Sequence, residues 1–186
     1  MWKLLTALFV LMCLGLLTVA GGIIWVFWNW GQDLPDYRQL AKYEPPVATR
    51  IHAGNGALLA EFASQKRVFV PVKSMPPQLV NAFLSAEDKA FYQHIGVDPL
   101  ALARATVTNI VNYGSGRRPV GASTITQQVA KNFLLTNELS LDRKIKEAIL
   151  AIRMERAFSK DQIMALYLNE IYLGAASYGV AAAALN

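Results

Sequence analysis

The feature that most constrains the fold is an apolar segment from Leu4 to Trp28 that contains no charged residue. A helix rises about 1.5 Å per residue, so this segment can cross a hydrocarbon core of about 30 Å with some tilt. It is too long for the apolar region of an ordinary secretory signal, which has about 7 to 15 residues. Trp25 and Trp30 flank its far end and Trp2 its near end, where indole rings favour the membrane interface. The segment therefore predicts an uncleaved membrane anchor.

The anchor divides the chain into three predicted parts. Residues 1–30 form a short tail and the transmembrane helix, residues 31–48 a linker, and residues 49–186 a single domain. Pro45 and Pro46 favour an extended end to the linker. Because a short tail is rarely exported, we place the amino terminus in the cytoplasm and the domain on the outer, periplasmic face of the inner membrane.

Charge and cysteine content narrow the classes of partner. The chain has 18 Lys and Arg against 13 Asp and Glu, a net charge of +5. A modest positive excess suits an anionic membrane or a lipid-linked phosphate, and it is equally compatible with an ordinary solvated surface. The basic residues are dispersed, which argues against a nucleic-acid partner.

Cys13 lies within the predicted anchor, so the domain is expected to form no internal disulfide. The two histidines, without a cysteine cluster, predict no protein metal site.

The predicted domain is mainly α with a small β element where the chain enters it. Asn55-Gly56 suits a tight turn between strands Thr49–His52 and Leu58–Phe62, and Val68–Val72 is a candidate third strand. Helical periods follow Ser74. Predicted starts are Pro76 or Pro77, Asp98 or Pro99, Ser123 or Thr124, Ser140, and the Ser159/Gln162 capping box of a helix that ends near Gly174.

Glu87 is unusual because it occupies a hydrophobic position of a predicted amphipathic helix. The other positions of the stripe are apolar: Leu79, Val80, Phe83, Leu84, Ala90 and Phe91. A carboxylate there must be paired, neutral, or directed into a cavity where a strong base is useful. Two interpretations remain open from these residues alone: a general base, or a carboxylate paired with a neighbour at the edge of the core.

Two further polar faces are candidates for binding. Thr124, Gln127, Gln128 and Lys131 share one face of a helix whose start, with its free N–H groups, suits phosphate oxygens; a solvated surface face is the alternative. On the next helix Arg143 and Glu147 are four residues apart, with Lys144 beside them. Such a pair is either a simple surface ion pair or the half-buried lining of a cleft.

Three residues are predicted to be structural. His94 and Gly96 are expected to end a helix through a hydrogen bond rather than to act in catalysis. Asn169 lies within an apolar helix and needs a polar partner, so it is expected to hold two helices in register.

Four segments, in this order, resemble motifs of the peptidoglycan glycosyltransferases of glycosyltransferase family 51: EDKAFYQHIG, GASTITQQVAKN, RKIKE and SKDQIMALYLNEIYLG. The resemblance runs from about Pro45 to the last residue, and the anchor and linker resemble the start of a class A penicillin-binding protein. It implies a lysozyme-like, mostly helical domain at the outer face of the cytoplasmic membrane. It also implies that this domain polymerises lipid II into β-1,4 glycan strands with release of undecaprenyl diphosphate.

The resemblance also implies roles for individual residues. Glu87 would be the general base that takes the proton of the GlcNAc 4-hydroxyl during an inverting attack. Because pyrophosphate leaves as an anion, the reaction would need stabilisation of negative charge rather than a proton donor. Lys131 and Arg143 would provide the positive charge. No cofactor would be required, and a Mg²⁺ or Mn²⁺ ion would be an optional addition. Glu147 would be a second catalytic carboxylate that donates no proton. The remaining implied substrate-binding residues are Asp88, Phe91, Thr124, Gln128, Asn132 and Lys144.

Two expectations concern the extent and the class of the protein. The chain stops at AAAALN, within what resembles a fifth motif, so we expect a C-terminally truncated, poorly active fragment without the S-x-x-K nucleophile that penicillin acylates. The alternatives to synthesis are a lytic, glycan-cleaving enzyme of similar fold and a membrane-tethered scaffold for cell-wall proteins. Cell-wall synthesis proteins are the expected protein partners.

Overall fold

The computed structural model describes residues 2–43, 49–62, 66–136, 138 and 140–185. The proline pair of the linker lies outside these residues, so its extended conformation stays a prediction. The first helix, α1 (Trp2–Gly31), has 30 residues and is long and apolar enough to cross a membrane by length and composition. Within the described part of the chain it is the one helix with this property.

A β-hairpin follows, as predicted. Strand β1 (Thr49–His52) pairs antiparallel with β2 (Leu58–Phe62). The turn closes with a hydrogen bond from the Gly56 amide to the Ala53 carbonyl oxygen at 2.9 Å, and Gly56 has φ +83°, which favours glycine.

The third strand is displaced from its predicted position. Strand β3 is Lys66–Arg67, and it pairs in parallel with β4 (Ser177–Tyr178), which lies more than 100 positions further along the chain. The prediction of a strand over Val68–Val72 is wrong, because Pro71 has no N–H for a ladder and a short 3-10 helix, Val72–Ser74, follows it.

Helices build the rest of the domain. Their bounds are α2 (Pro77–Glu87), α3 (Pro99–Val111), α4 (Ile125–Leu134), α5 (Leu141–Ala157), α6 (Lys160–Glu170) and α7 (Val180–Ala184). The predicted caps are confirmed at Ser140 and at the Ser159/Gln162 capping box, and Thr124, rather than Ser123, caps α4. Helix α6 ends at Glu170, before the predicted Gly174, because Ile171 has extended ψ and Ala175 and Ala176 form a left-handed turn. The mainly α fold with a small β element is confirmed.

The core lies where α5 and α6 pack against α4. Its central side chains are fully buried and come from all three helices: Ile125, Leu150, Met154, Ile163, Met164 and Leu168. Burial of this apolar surface provides the main stabilisation of the domain, and it holds the start of α4 against the first half of α5. Polar residues of the candidate site project from these two places, from the end of α2 and from α3.

Candidate active site

Glu87 is the last residue of α2, and its side chain is exposed. The helix ends because Asp88 has φ −157° and ψ 80°, so the apolar stripe does not continue through Ala90 and Phe91 as a helix surface. The predicted continuation of the helical stripe beyond Glu87 is therefore wrong, and Glu87 is exposed at the end of the helix. Gln128 Nε2 on α4 donates a hydrogen bond to Glu87 Oε2 at 2.8 Å, which fixes the direction of an otherwise open carboxylate.

The buried carboxylate is that of the neighbouring residue, Asp88. One of its oxygens accepts from the backbone N–H of Ile125 at 3.0 Å and from His94 Nε2 at 2.9 Å. His94 Nδ1 in turn accepts from the Gly96 amide at 3.1 Å, so the ring carries its proton on Nε2. Asp88 thus ties the end of α2 to the first turn of α4, where the helix dipole favours a negative charge.

Gly96 lets the loop before α3 approach α5 closely. Its φ is +98°, and a Cβ at this position would lie 2.6 Å from the backbone carbonyl carbon of Ala151. Thr124 Oγ1 donates to the Gly96 carbonyl oxygen at 2.6 Å and also caps α4. The polar atoms of Asp88 and Thr124 are therefore engaged inside the protein, and their predicted binding of substrate stays a prediction.

Glu147 lies at the centre of a compact charged cluster. Its side chain is 1% exposed, and it accepts from Arg143 Nη1 at 2.7 Å and from Lys144 Nζ at 2.6 Å. Lys144 Nζ also donates to Ser123 Oγ at 2.7 Å, which links α5 to the loop before α4. Arg143 Nε is buried and lacks a hydrogen-bond partner among the described residues. A buried carboxylate held by two cations leaves a net positive charge at this position.

The remaining predicted residues divide between the surface and the core. Lys131 is half-buried and Asn132 exposed, and neither side chain makes a hydrogen bond or ion pair within the ranges described. Phe91 is fully buried, with the Lys160 ammonium 4.4 Å from its ring centre. Direct contact between Phe91 and a substrate is therefore excluded in this conformation. Asn169 bonds the backbone N–H and C=O of Val70, at 2.8 and 2.9 Å, and so holds α6 to an extended segment rather than to a second helix.

A cavity of about 230 Å³ is lined by residues from the end of α2, from α3 and from the loop before α4. Its lining includes Glu87 and Asp88, Ser123 and Thr124, and Arg104 of α3. Ser123 and Ala122 also border an apolar cavity of about 440 Å³, whose opposite wall includes Val26 and Phe27 of α1. A polar cavity with a carboxylate therefore lies beside an apolar one that reaches α1.

Three residues near the site carry no sequence pattern that indicates a functional role. Ser123 bonds the lysine of the Glu147 cluster, and Arg104 lines the Glu87 cavity. Tyr167 of α6 is 1% exposed, its hydroxyl lacks a partner among the described residues, and burial and then the Glu87 charge raise its pKa. The sequence signal for Tyr167 was weak, because one tyrosine in an apolar helix is usually a core residue.

The described residues contain no group of three or more His, Cys, Asp or Glu side chains that could hold a metal ion. A Mg²⁺ or Mn²⁺ ion at a bound pyrophosphate thus stays a prediction, with ligands that would come largely from the substrate and water.

Comparison with known proteins defines the family. The Transglycosylase family model matches residues 55–186. Penicillin-binding protein 1A of Rickettsia felis is 55% identical over 172 residues, 92% of this chain and 22% of that protein. Penicillin-binding protein 1A is 50% identical in Aquifex aeolicus, over 82% of this chain and 21% of the relative. In Escherichia coli the identity is 44%, over 89% of this chain and 19% of the relative.

The chain belongs to the transglycosylase family, as the four motifs implied. Within that family it resembles penicillin-binding proteins 1A. The chain spans about a fifth of the length of these relatives.

Proposed function

We propose that this domain polymerises lipid II into β-1,4 glycan strands and releases undecaprenyl diphosphate. The observation that carries the proposal is the exposed Glu87 carboxylate, oriented by Gln128 and opening into a polar cavity. Glu87 is the general base: it takes the proton of the GlcNAc 4-hydroxyl as the oxygen attacks the anomeric carbon of the donor MurNAc. The bond between that carbon and the pyrophosphate oxygen breaks at the same time, with inversion.

The leaving group needs positive charge rather than a proton. Lys144 and Arg143 are fixed by Glu147, and Lys131 on α4 has an ammonium with no partner in the described part of the chain. Fixed cations stabilise developing charge without reorganising during the reaction. Glu147 acts by positioning these cations and is too deeply buried to exchange protons with a substrate.

The neighbouring apolar cavity supports a lipid-linked substrate. It is lined by Ile145 and Ile149 of α5 on one side and by Val26 and Phe27 of α1 on the other. A substrate with a polar diphosphosugar and a long isoprenoid chain would span both cavities, whereas a soluble glycan has no group for the apolar one. This favours synthesis over glycan cleavage. With α1 in the inner membrane and its amino terminus in the cytoplasm, the site faces the outer leaflet.

The test is the Glu87→Gln variant of the full-length protein, assayed with purified lipid II. We expect at least a 100-fold loss of polymerisation rate, since general bases contribute roughly 10²- to 10⁴-fold. Glu138→Gln, at an exposed glutamate outside the cavity, is the matched control and should retain the wild-type rate.

A wild-type rate for Glu87→Gln would refute the base assignment. Release of soluble fragments from finished peptidoglycan, without polymer from lipid II, would refute synthesis and identify a lytic enzyme. Inactivity of wild type and variant alike on both substrates would favour a scaffold.

A further inference from the structure

A second cluster of cations lies where α1 leaves the membrane, away from the candidate active site. Arg38, Arg153 and Arg156 line a cavity of about 390 Å³ together with Leu34 and Asp36. None of the three guanidinium groups forms an ion pair with a carboxylate among the described residues, and the Asp36 side chain accepts from the backbone N–H of Arg38 at 2.9 Å. Three guanidinium groups against the one carboxylate of Asp36 leave the cavity with a net charge of +2.

The cluster is attached directly to the end of the anchor. Arg153 Nη2 donates to the carbonyl oxygen of Gly31, the last residue of α1, at 2.9 Å. A Cβ at Gly31 would lie 3.0 Å from that nitrogen, so the helix end and the guanidinium are in close contact. Lipid phosphates lie just outside the hydrocarbon core, which is where the apolar part of α1 ends.

The cluster is separate from the cations around Glu147. Arg143 and Lys144 lie in the first turn of α5, whereas Arg153 and Arg156 lie in its last turns, about 15 Å along the helix axis. A pyrophosphate held by the first pair does not reach the second. The second cluster therefore needs a different anionic ligand.

We propose that Arg38, Arg153 and Arg156 form a binding site for the phosphate of an anionic phospholipid at the exit of α1. Guanidinium groups bind phosphate through two parallel N–H···O bonds, and three of them converge on one cavity. An anionic headgroup there fixes the height of the domain over the membrane. The site rests on the proposed membrane insertion of α1 and is independent of the glycosyltransferase reaction.

The test uses the full chain in nanodiscs of phosphatidylcholine, with or without phosphatidylglycerol, at one physiological ionic strength. The readout is hydrogen exchange of the 3-10 helix Tyr37–Lys42, which carries Arg38. We expect phosphatidylglycerol to slow this exchange about threefold in the wild type, since ligand binding suppresses local opening. The double variant Arg38→Gln/Arg156→Gln should lose the response. Arg117→Gln/Arg118→Gln removes the same charge from an exposed loop and should retain it.

Three results would overturn the assignment: equal protection of the Arg38→Gln/Arg156→Gln variant, equal loss in the Arg117→Gln/Arg118→Gln control, or full protection by inorganic phosphate in phosphatidylcholine nanodiscs. The last would identify free phosphate as the ligand. Flotation with phosphatidylcholine vesicles tests insertion separately. A chain that floats without responding to phosphatidylglycerol refutes the lipid site alone, whereas a chain that does not float also refutes the proposed anchorage.

Discussion

Tyr167 places its phenol hydroxyl in the core, where burial and then the charge of Glu87, the proposed general base, raise its pKa. Its ring packs edge-on against Phe83 of α2, with centroids 5.9 Å apart, and its hydroxyl lacks a partner in the described structure. A buried polar group without a hydrogen bond destabilises the fold. Tyr167 therefore contributes its ring to packing at the cost of an unsatisfied hydroxyl.

Replacing Tyr167 with Phe should raise stability by about 1 kcal/mol, because it removes the unsatisfied hydroxyl and keeps the ring. Chemical unfolding in detergent measures the difference. Tyr167→Leu is the companion variant and should lower stability, since it removes the ring contact with Phe83. A clear loss of stability in Tyr167→Phe would show that the hydroxyl is satisfied in the folded protein.

At the scale of elements, helix starts were predictable and the end of α2 was not. Ser140 and the Ser159/Gln162 box are local signals, because the bonded groups are three residues apart. The end of α2 depends on Asp88, which bonds the Ile125 amide 37 positions away. The exposure of Glu87 follows from that distant bond, so no periodicity within residues 77–91 could have indicated it.

The approach of the Gly96 loop to α5 provides a prediction about packing. Gly96→Ala should destabilise the domain by about 3 kcal/mol or more, because its Cβ would overlap the Ala151 carbonyl group and the positive φ adds strain. Gly116→Ala is the matched control: φ is +72° there and the space around it is open, so only the strain of about 1 kcal/mol remains. Thermal unfolding of both variants checks the difference, and equal losses would contradict the close approach.

At the scale of the whole molecule, one polar network joins the segment after α1 to α6 and β4. Tyr43 donates from its hydroxyl to Glu170 Oε2 at 2.8 Å, and Arg67 of β3 pairs with the same carboxylate. The Arg67 guanidinium also lies 4.7 Å from the ring centre of Tyr178 in β4. None of this was predictable from spacing, because the partners are brought together by the fold and not by a local pattern.

Through the Tyr43 hydroxyl, this network makes the free energy of unfolding depend on pH in the alkaline range. Burial, followed by the hydrogen bond to Glu170, raises the pKa of Tyr43 from 10.0 to about 12. The unfolded chain loses this proton above about pH 10 and the folded chain keeps it to about 12, so the stabilisation is complete below pH 10 and is lost as pH rises to 12. After allowance for screening at a half-buried position, the loss is about 1 kcal/mol.

Urea unfolding at pH 9 and pH 11.5 measures this dependence. Tyr43→Phe should lose less stability between the two pH values than the wild type, whatever its absolute stability, because Phe has no proton to release. Tyr167 is present in both proteins, so its own alkaline titration cancels from the comparison. Identical losses in wild type and variant would contradict the assignment.

The parallel pairing of β3 with β4 also constrains the order in which contacts form while the chain is synthesised. Lys66 pairs with Ser177, 111 positions further on (177 − 66), so the second strand of this pair is synthesised on the order of ten seconds after the first, at about 5 to 20 residues per second. Residues 66–67 leave the ribosome early and cannot pair as a strand until residues 177–178 have followed. The pairing of β3 with β4 therefore forms only after most of residues 66–178 have been synthesised.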